Sequence, residues 1–311
     1  MNALLAEKLA SRSYGISLYG LAPPKKATAP EELERIVAQQ VARLQPMGID
    51  GLVVYDLQDE AARIAEDRPF PFLPTLDPAA YAHGHLERLA APKIVYRCVN
   101  RDTPETLVQW LKEQEARAAP LAVLVGAPSR RVQASVSLAD AYALARQHAP
   151  RVLLGGIAIA ERHGKSGDEH ERILAKTAMG CRFFITQAVY DVTSTKSLLS
   201  DYALALREKG AAPVPVILTF SPCGSVKTLS FMKWLGIAFP RWLENELRCA
   251  ENPLAMSLDL CERIFGEIWD YAREKNIPLG VNVESVSIQK REIEASVELF
   301  DRLRRRMGAS A

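Results

Sequence analysis

Eight short apolar runs recur along the chain, and each is followed by a longer stretch that reads with helical periodicity, apolar residues at three- and four-residue steps. The runs are YGISLYG from Tyr14, GLVVYD from Gly51, KIVYRCV from Lys93, LAVLVG from Leu121, VLLGGIAI from Val152, RFFITQ from Arg182, VPVILTF from Val214 and IPLGVNV from Ile277. Between them lie PEELERIVAQQVARLQPMG, TPETLVQWLKEQEARA, SLADAYALARQHA and DEHERILAKTAMG, several with Ser, Thr or Asp ahead of the first turn, where a side-chain oxygen caps a helix. Strand followed by helix, repeated around eight units, predicts an α/β fold of the (β/α)8 TIM-barrel type. An open sheet would usually stop at about five to seven strands and carry a Gly-rich dinucleotide turn after the first, and GxGxxG is absent.

The chain of 311 residues is about the length of one such barrel. Between the seventh and eighth strands lie KTLSFMKWLG and PLAMSLDLCERIFGEIWDYAREK, which read as a helical elaboration. No Ser/Gly-rich linker sets them apart, so one domain spanning 1–311 is expected. With 48% hydrophobic residues, 24% charged and a net charge of +2, the chain has an ordinary soluble composition. Lys and Arg are scattered, which argues against a nucleic-acid or membrane partner. RLRRRMG, Arg302 to Gly308, reads as the cationic last turn of a surface helix.

The five cysteines show no CxxC pairing and no histidine at metal-ligand spacing, so neither a disulfide framework nor zinc is expected. MNALLAEKLASRS lacks the apolar run and small-residue cleavage site of a secretory signal, and no apolar stretch approaches about 18 residues. A reducing, cytoplasmic setting is the expectation.

In a barrel the chemistry sits at the C-terminal ends of the strands. Polar residues cluster there: Asp56 and Gln58, Asn100 and Arg101, Glu161 to His163, Gln187 with Tyr190 and Asp191, Ser221 with Cys223, and Asn282 with Glu284. In GCRFFITQAVYD, Gly180 to Asp191, a long amide stands at the mouth of a buried strand. An amide there suits a neutral heterocycle with adjacent donors and acceptors, which points to Gln187 as a ligand reader. Thr186 faces the opposite way by alternation and reads as structural. ERHGKSGDEH reads as a polar loop in which His163 and His170, with Asp168 between them, are too few and too distant for a metal, so no metal is expected. Lys176 suits a phosphate of a dinucleotide. Phe231 and Trp234, three apart on one helix face, read as core, and Cys223, with no histidine placed beside it, does not read as a nucleophile.

The order of these motifs resembles the methylenetetrahydrofolate reductase family. The resemblance rests on Lys176 through Gly180 to Ile185-Thr186-Gln187 and VYD, on Pro23 and Pro24 after the first strand, on Glu161 to His163 after the fifth, and on PVILTFSP after the seventh. It implies a (β/α)8 barrel that interconverts 5,10-methylene- and 5-methyltetrahydrofolate with NADH or NADPH. It implies that Gln187 reads the pterin. For such a ligand Phe220, which ends the seventh strand, is the candidate to stack on it and Tyr190 a further contact, and His163, Lys176 and Glu161 are candidates toward the nicotinamide cofactor.

Two departures qualify the match. The family's strand-one glutamate has Gly20 in its place, and the Gly-Asp that ends the fourth strand of flavin-containing members is Gly126-Ala127 here, followed by Pro128. LVGAPSRR and ILTFSPCGSVKTLSFMKWLG resemble the flavin-independent members, which argues against FAD. A positioned general acid is worth about 10²- to 10⁴-fold in rate. Glu284 is the first candidate for that role, since a desolvated glutamate is raised toward neutrality and can donate a proton, and Asp56 and Glu161 are weaker substitutes. The alternative is a folate-binding protein or methyl-transfer subunit without redox activity. A homo-oligomer, or a complex with a methyltransferase or a flavoprotein, is compatible with either reading.

Overall fold

The computed structural model describes residues 3–59, 68–127 and 134–308. Eight strands form a closed barrel in chain order: β1 (Ile16–Leu21), β2 (Gly51–Val54), β3 (Lys93–Cys98), β4 (Leu121–Val125), β5 (Leu153–Ala158), β6 (Phe183–Ala188), β7 (Val216–Phe220) and β8 (Leu279–Glu284). Pairing is parallel, with registers such as Val53↔Ile94, Tyr96↔Val123 and Thr219↔Asn282. All eight strands match the apolar runs read from the sequence. Strands buried on both faces favour the unbroken Val/Ile/Leu character those runs show.

The helices are α1 (Ala3–Ala10), α2 (Pro30–Leu44), α3 (Pro78–Ala80), α4 (Pro104–Glu115), α5 (Leu138–His148), α6 (Ala160–Ser166), α7 (Glu169–Ala178), α8 (Val192–Glu208), α9 (Val226–Trp234), α10 (Arg241–Cys249), α11 (Pro253–Glu274) and α12 (Lys290–Gly308). Side-chain caps start many of them. Thr103 and Thr106 form a reciprocal capping box at α4, Ser137 caps α5, Asp191 caps α8, Ser225 caps α9 and Asn252 caps α11. The elaboration between β7 and β8 consists of α9, α10 and α11. The arginines near the end of α12 are on a surface helix, as expected, with Arg302 paired to Glu298 and Asp259 and Arg306 to Asp270.

By packing, the chain divides into two compact units. The first is Met1–Glu7, Gly20–Gly156 and Ala178–Arg182; the second is Lys8–Tyr19, Ile157–Thr177 and Phe183–Ala311. In the first, Trp110 of α4 packs under the Arg97 guanidinium, which also binds the buried Asp102. In the second, Phe220, Phe265 and Trp269 form an aromatic stack between β7 and α11. Gly280 of β8 permits close approach of the β1 backbone, since a Cβ there would stand 2.5 Å from the Ile16 carbonyl oxygen.

No helix among the described residues is long and apolar enough to cross a membrane. All five cysteines are free thiols, four of them buried.

Candidate functional site

The orientation of each rim residue follows from strand parity. The ring of Phe220 lies edge-on to Phe265 of α11, so Phe220 points outward into the helix layer. Its neighbour Thr219 then faces the barrel interior, and so does Asn282, whose amide donates to Thr219 Oγ1 at 3.2 Å. Glu284, two residues beyond Asn282, shares that inward face at the end of β8.

The pairing of β6 with β7 shifts register between Ile185 and Ala188, leaving Thr186 and Gln187 in a bulge. There Thr186 Oγ1 accepts the Thr219 N–H at 2.9 Å, in place of a backbone carbonyl. This is the structural role expected for Thr186. A bulge at a strand end re-aims the next side chain, and Gln187 Nε2 donates to the Leu235 carbonyl at 2.7 Å. With its NH2 held by the turn after α9, the Gln187 amide presents its oxygen as an acceptor.

Glu161 stands on the first turn of α6 and is 8% exposed. Burial pushes its carboxyl up to about 7, helped by the neighbouring Asp191 carboxylate; N–H groups of Glu161 itself and of Ala238, together with Lys165, pull the other way. The segment running from Leu235 to Phe239 therefore contacts both Gln187 and Glu161. Its Phe239 ring lies 4.3 Å from that of Tyr190.

Several expected roles do not agree with where the side chains lie. ERHGKSG is not a loop but the helix α6, ended by Gly167 in the left-handed conformation (φ +71°). His163 is accordingly buried, 5% exposed, and its Nε2 is bonded to Asp201 of the neighbouring helix α8 at 3.1 Å. Lys176 Nζ donates to the Ile157 carbonyl of β5 at 2.7 Å, a commitment that competes with phosphate binding. Phe220 is fully buried against Phe265, with no ring face open to a pterin. Tyr190 is also fully buried; its hydroxyl donates to the Ser221 carbonyl at 2.6 Å, and burial holds its phenol well above the ordinary range. Tyr190 therefore joins the end of β6 to the turn after β7.

Asp56 accepts the Cys98 N–H at 2.7 Å through one carboxylate oxygen and the Arg101 guanidinium through the other. Both oxygens serve as acceptors, an arrangement suited to a carboxylate and not to a proton donor. Cys223 is buried, and desolvation pushes its thiol up to about 12, a setting that disfavours the thiolate a nucleophile needs. The Trp234 side chain is buried as expected for core, stacked on Phe231.

The most informative position is Gly20. Tyr19 reaches Ser296 of α12 at 2.6 Å, so Gly20 faces inward. A Cβ at Gly20 would lie 2.7 Å from the Tyr55 hydroxyl and 2.8 Å from its ring. The space a strand-one side chain would enter is filled by Tyr55, whose ring is edge-on to Tyr96 at 5.0 Å. Nothing in the sequence pattern pointed to Tyr55. Of the turn after β4, Gly126 is described and accepts from Gln58 Nε2 at 3.4 Å, whereas Pro128 to Arg131 lie outside the described residues.

Fold and rim together define a (β/α)8-barrel protein with amide and carboxylate groups at the C-terminal ends of its strands. A solved protein from Clostridium thermocellum, described as binding two copies of 5-methyl-5,6,7,8-tetrahydrofolic acid, is 43% identical, with 97% of this chain and 99% of that one covered and a TM-score of 0.86. The chain belongs to the same family as that protein. An endoxylanase from a sugarcane soil metagenome shares the fold at 10% identity, covering 94% of this chain and 99% of that one with a TM-score of 0.50. No family model and no curated protein matches the sequence.

Proposed function

We propose that this protein binds a reduced folate, 5-methyltetrahydrofolate, without carrying out redox chemistry on it. The observation that carries the reading is its membership, at 43% identity over nearly the full chain, in the family of a protein that binds this molecule. The rim supports it. Gln187, anchored by Leu235, offers an oxygen acceptor to the N–H groups of a reduced pterin. At β1 the position of the reductase-family acid is a glycine covered by the Tyr55 ring. A protein of this kind presents methylfolate to a methyltransferase partner.

A second reading is favoured by Glu284, whose carboxylate shares the inward face of Asn282. There the protein reduces 5,10-methylene- to 5-methyltetrahydrofolate, with hydride from NADH or NADPH and a proton to the nitrogen released on ring opening.

Calorimetry with 5-methyltetrahydrofolate, beside an assay of NADH and NADPH oxidation with methylenetetrahydrofolate, separates the readings. Binding heat with no nicotinamide turnover is the expected result, and turnover establishes the second reading. Absence of any binding heat removes both. Gln187→Ala is expected to weaken binding about 10-fold, the worth of one well-placed hydrogen bond at about 1 to 1.5 kcal/mol. Unchanged affinity in that variant would show that Gln187 does not read the ligand.

A further inference from the structure

Away from the barrel mouth, His163 of α6, His170 of α7 and Asp201 of α8 each offer one ligand atom, and these atoms all lie within 4.8 Å of one another. The left-handed Gly167 between α6 and α7 folds the chain back so that the two imidazoles meet, their centroids 5.4 Å apart and their planes at 81°. Asp201, far along the sequence, is brought in by the packing of α6 on α8, which is close enough that a Cβ at Gly164 would collide with Ser194.

We propose that this trio is a binding site for a divalent transition metal, Zn²⁺ by preference. Two imidazoles and one carboxylate are a recognised zinc donor set with a fourth position left for water. Tetrahedral coordination at about 2.0–2.1 Å places ligand atoms about 3.3 Å apart. His163 Nε2 and Asp201 already stand at 3.1 Å and all three ligand atoms lie within 4.8 Å, so closing the trio takes adjustments of up to about 1.5 Å.

Two further observations single out a cation. Nδ1 of His163, on a side chain 95% buried by its 5% exposure, has no hydrogen-bond partner, and neither has the buried Nδ1 of His170. Buried ring nitrogens are ordinarily satisfied; His163 meets Asp201 through Nε2, and the unpartnered Nδ1 of His170 leaves that imidazole a nitrogen to give to an ion. The other acids nearby are already neutralised: Asp168 pairs with Arg172 at 2.9 Å and Glu169 with Arg162 at 3.1 Å. Asp201 has no arginine or lysine of its own among the described residues and is 48% exposed, which gives an ion a path from solvent. The site is independent of the folate reading. Its effect on that site is positional, because the metal fastens α6, the helix that carries Glu161, to α7 and α8.

The test uses the full chain, stripped with a chelator, dialysed against micromolar ZnCl2 and assayed for bound metal by mass spectrometry. Close to one zinc per chain and a raised melting temperature are expected. Replacing even an outer-shell partner of a metal ligand costs about 10- to 100-fold in affinity, so His170→Asn and Asp201→Asn, chosen on the more accessible side where folding is retained, should each weaken zinc binding by at least that much. Asp168→Asn should bind as the parent does. Wild-type protein that stays essentially zinc-free, or His170 and Asp201 variants that bind as tightly as the parent, would overturn the proposal; circular dichroism on each variant confirms that the comparison is between folded proteins.

Discussion

Metal-free protein is expected to lose about 3 kcal/mol of stability as the pH rises from below 4.5 to above about 7, through the single carboxyl of Glu161. In the folded chain burial favours the neutral form and raises the group from 4.5 to about 7, while in the unfolded chain it ionises in the ordinary range. Between those two values the folded state holds a proton that the unfolded state has released, so stability falls with pH. At about 1.4 kcal/mol per pH unit the full rise amounts to about 3 kcal/mol. The contribution is complete below 4.5 and gone above 7.

Glu161→Gln removes this dependence and keeps the carbonyl oxygen that accepts from the Ala238 N–H. The variant should match the parent near pH 4.5 and exceed it by up to about 3 kcal/mol at pH 8. Urea melts at four pH values, on chelator-treated samples so that ions near His163 do not intervene, would read this directly. Parallel stability curves for the two proteins would show that Glu161 is well solvated.

The barrel was legible because each strand is a short apolar run and each run is punctuated by a capped helix, two local signals that agree. What the pattern left out was parity and partnership. Phe220 ends its strand as expected, yet a single step of alternation sends its ring to Phe265 and gives the inward face to Thr219. Helix α6 reads as a loop in the sequence because AERHGKS has a glycine and almost no apolar residue; it packs on α8, where Gly164 is small enough to admit Ser194. The His163–His170–Asp201 trio escaped for the same reason. Its third member comes from a helix 38 positions beyond His163, and no spacing rule spans that distance. Gln187 stands out as a candidate because an amide is out of place at a buried strand end, whereas a tyrosine following an apolar run, such as Tyr55, is commonplace.

That tyrosine sets the last expectation. Gly20→Glu, which places an acid where the reductase resemblance expects one, should lower stability by about 1–3 kcal/mol, the usual cost of forcing atoms into filled space. The contact is severe because the ring and not just the hydroxyl is in the way: Cε2 at 2.8 Å and Cζ at 3.0 Å from the new Cβ. Removing the hydroxyl alone by Tyr55→Phe should therefore give little relief. Tyr55→Ala should restore most of the loss in the double variant, a strong departure from additivity that marks two side chains competing for one volume. Melting curves of the parent, both single variants and the double variant supply the cycle. If the effects simply add, Tyr55 does not occupy the strand-one position. If they couple as described, the Tyr55 ring and a β1 side chain share one volume, and nicotinamide oxidation by the double variant then tests whether a carboxylate at that position confers turnover.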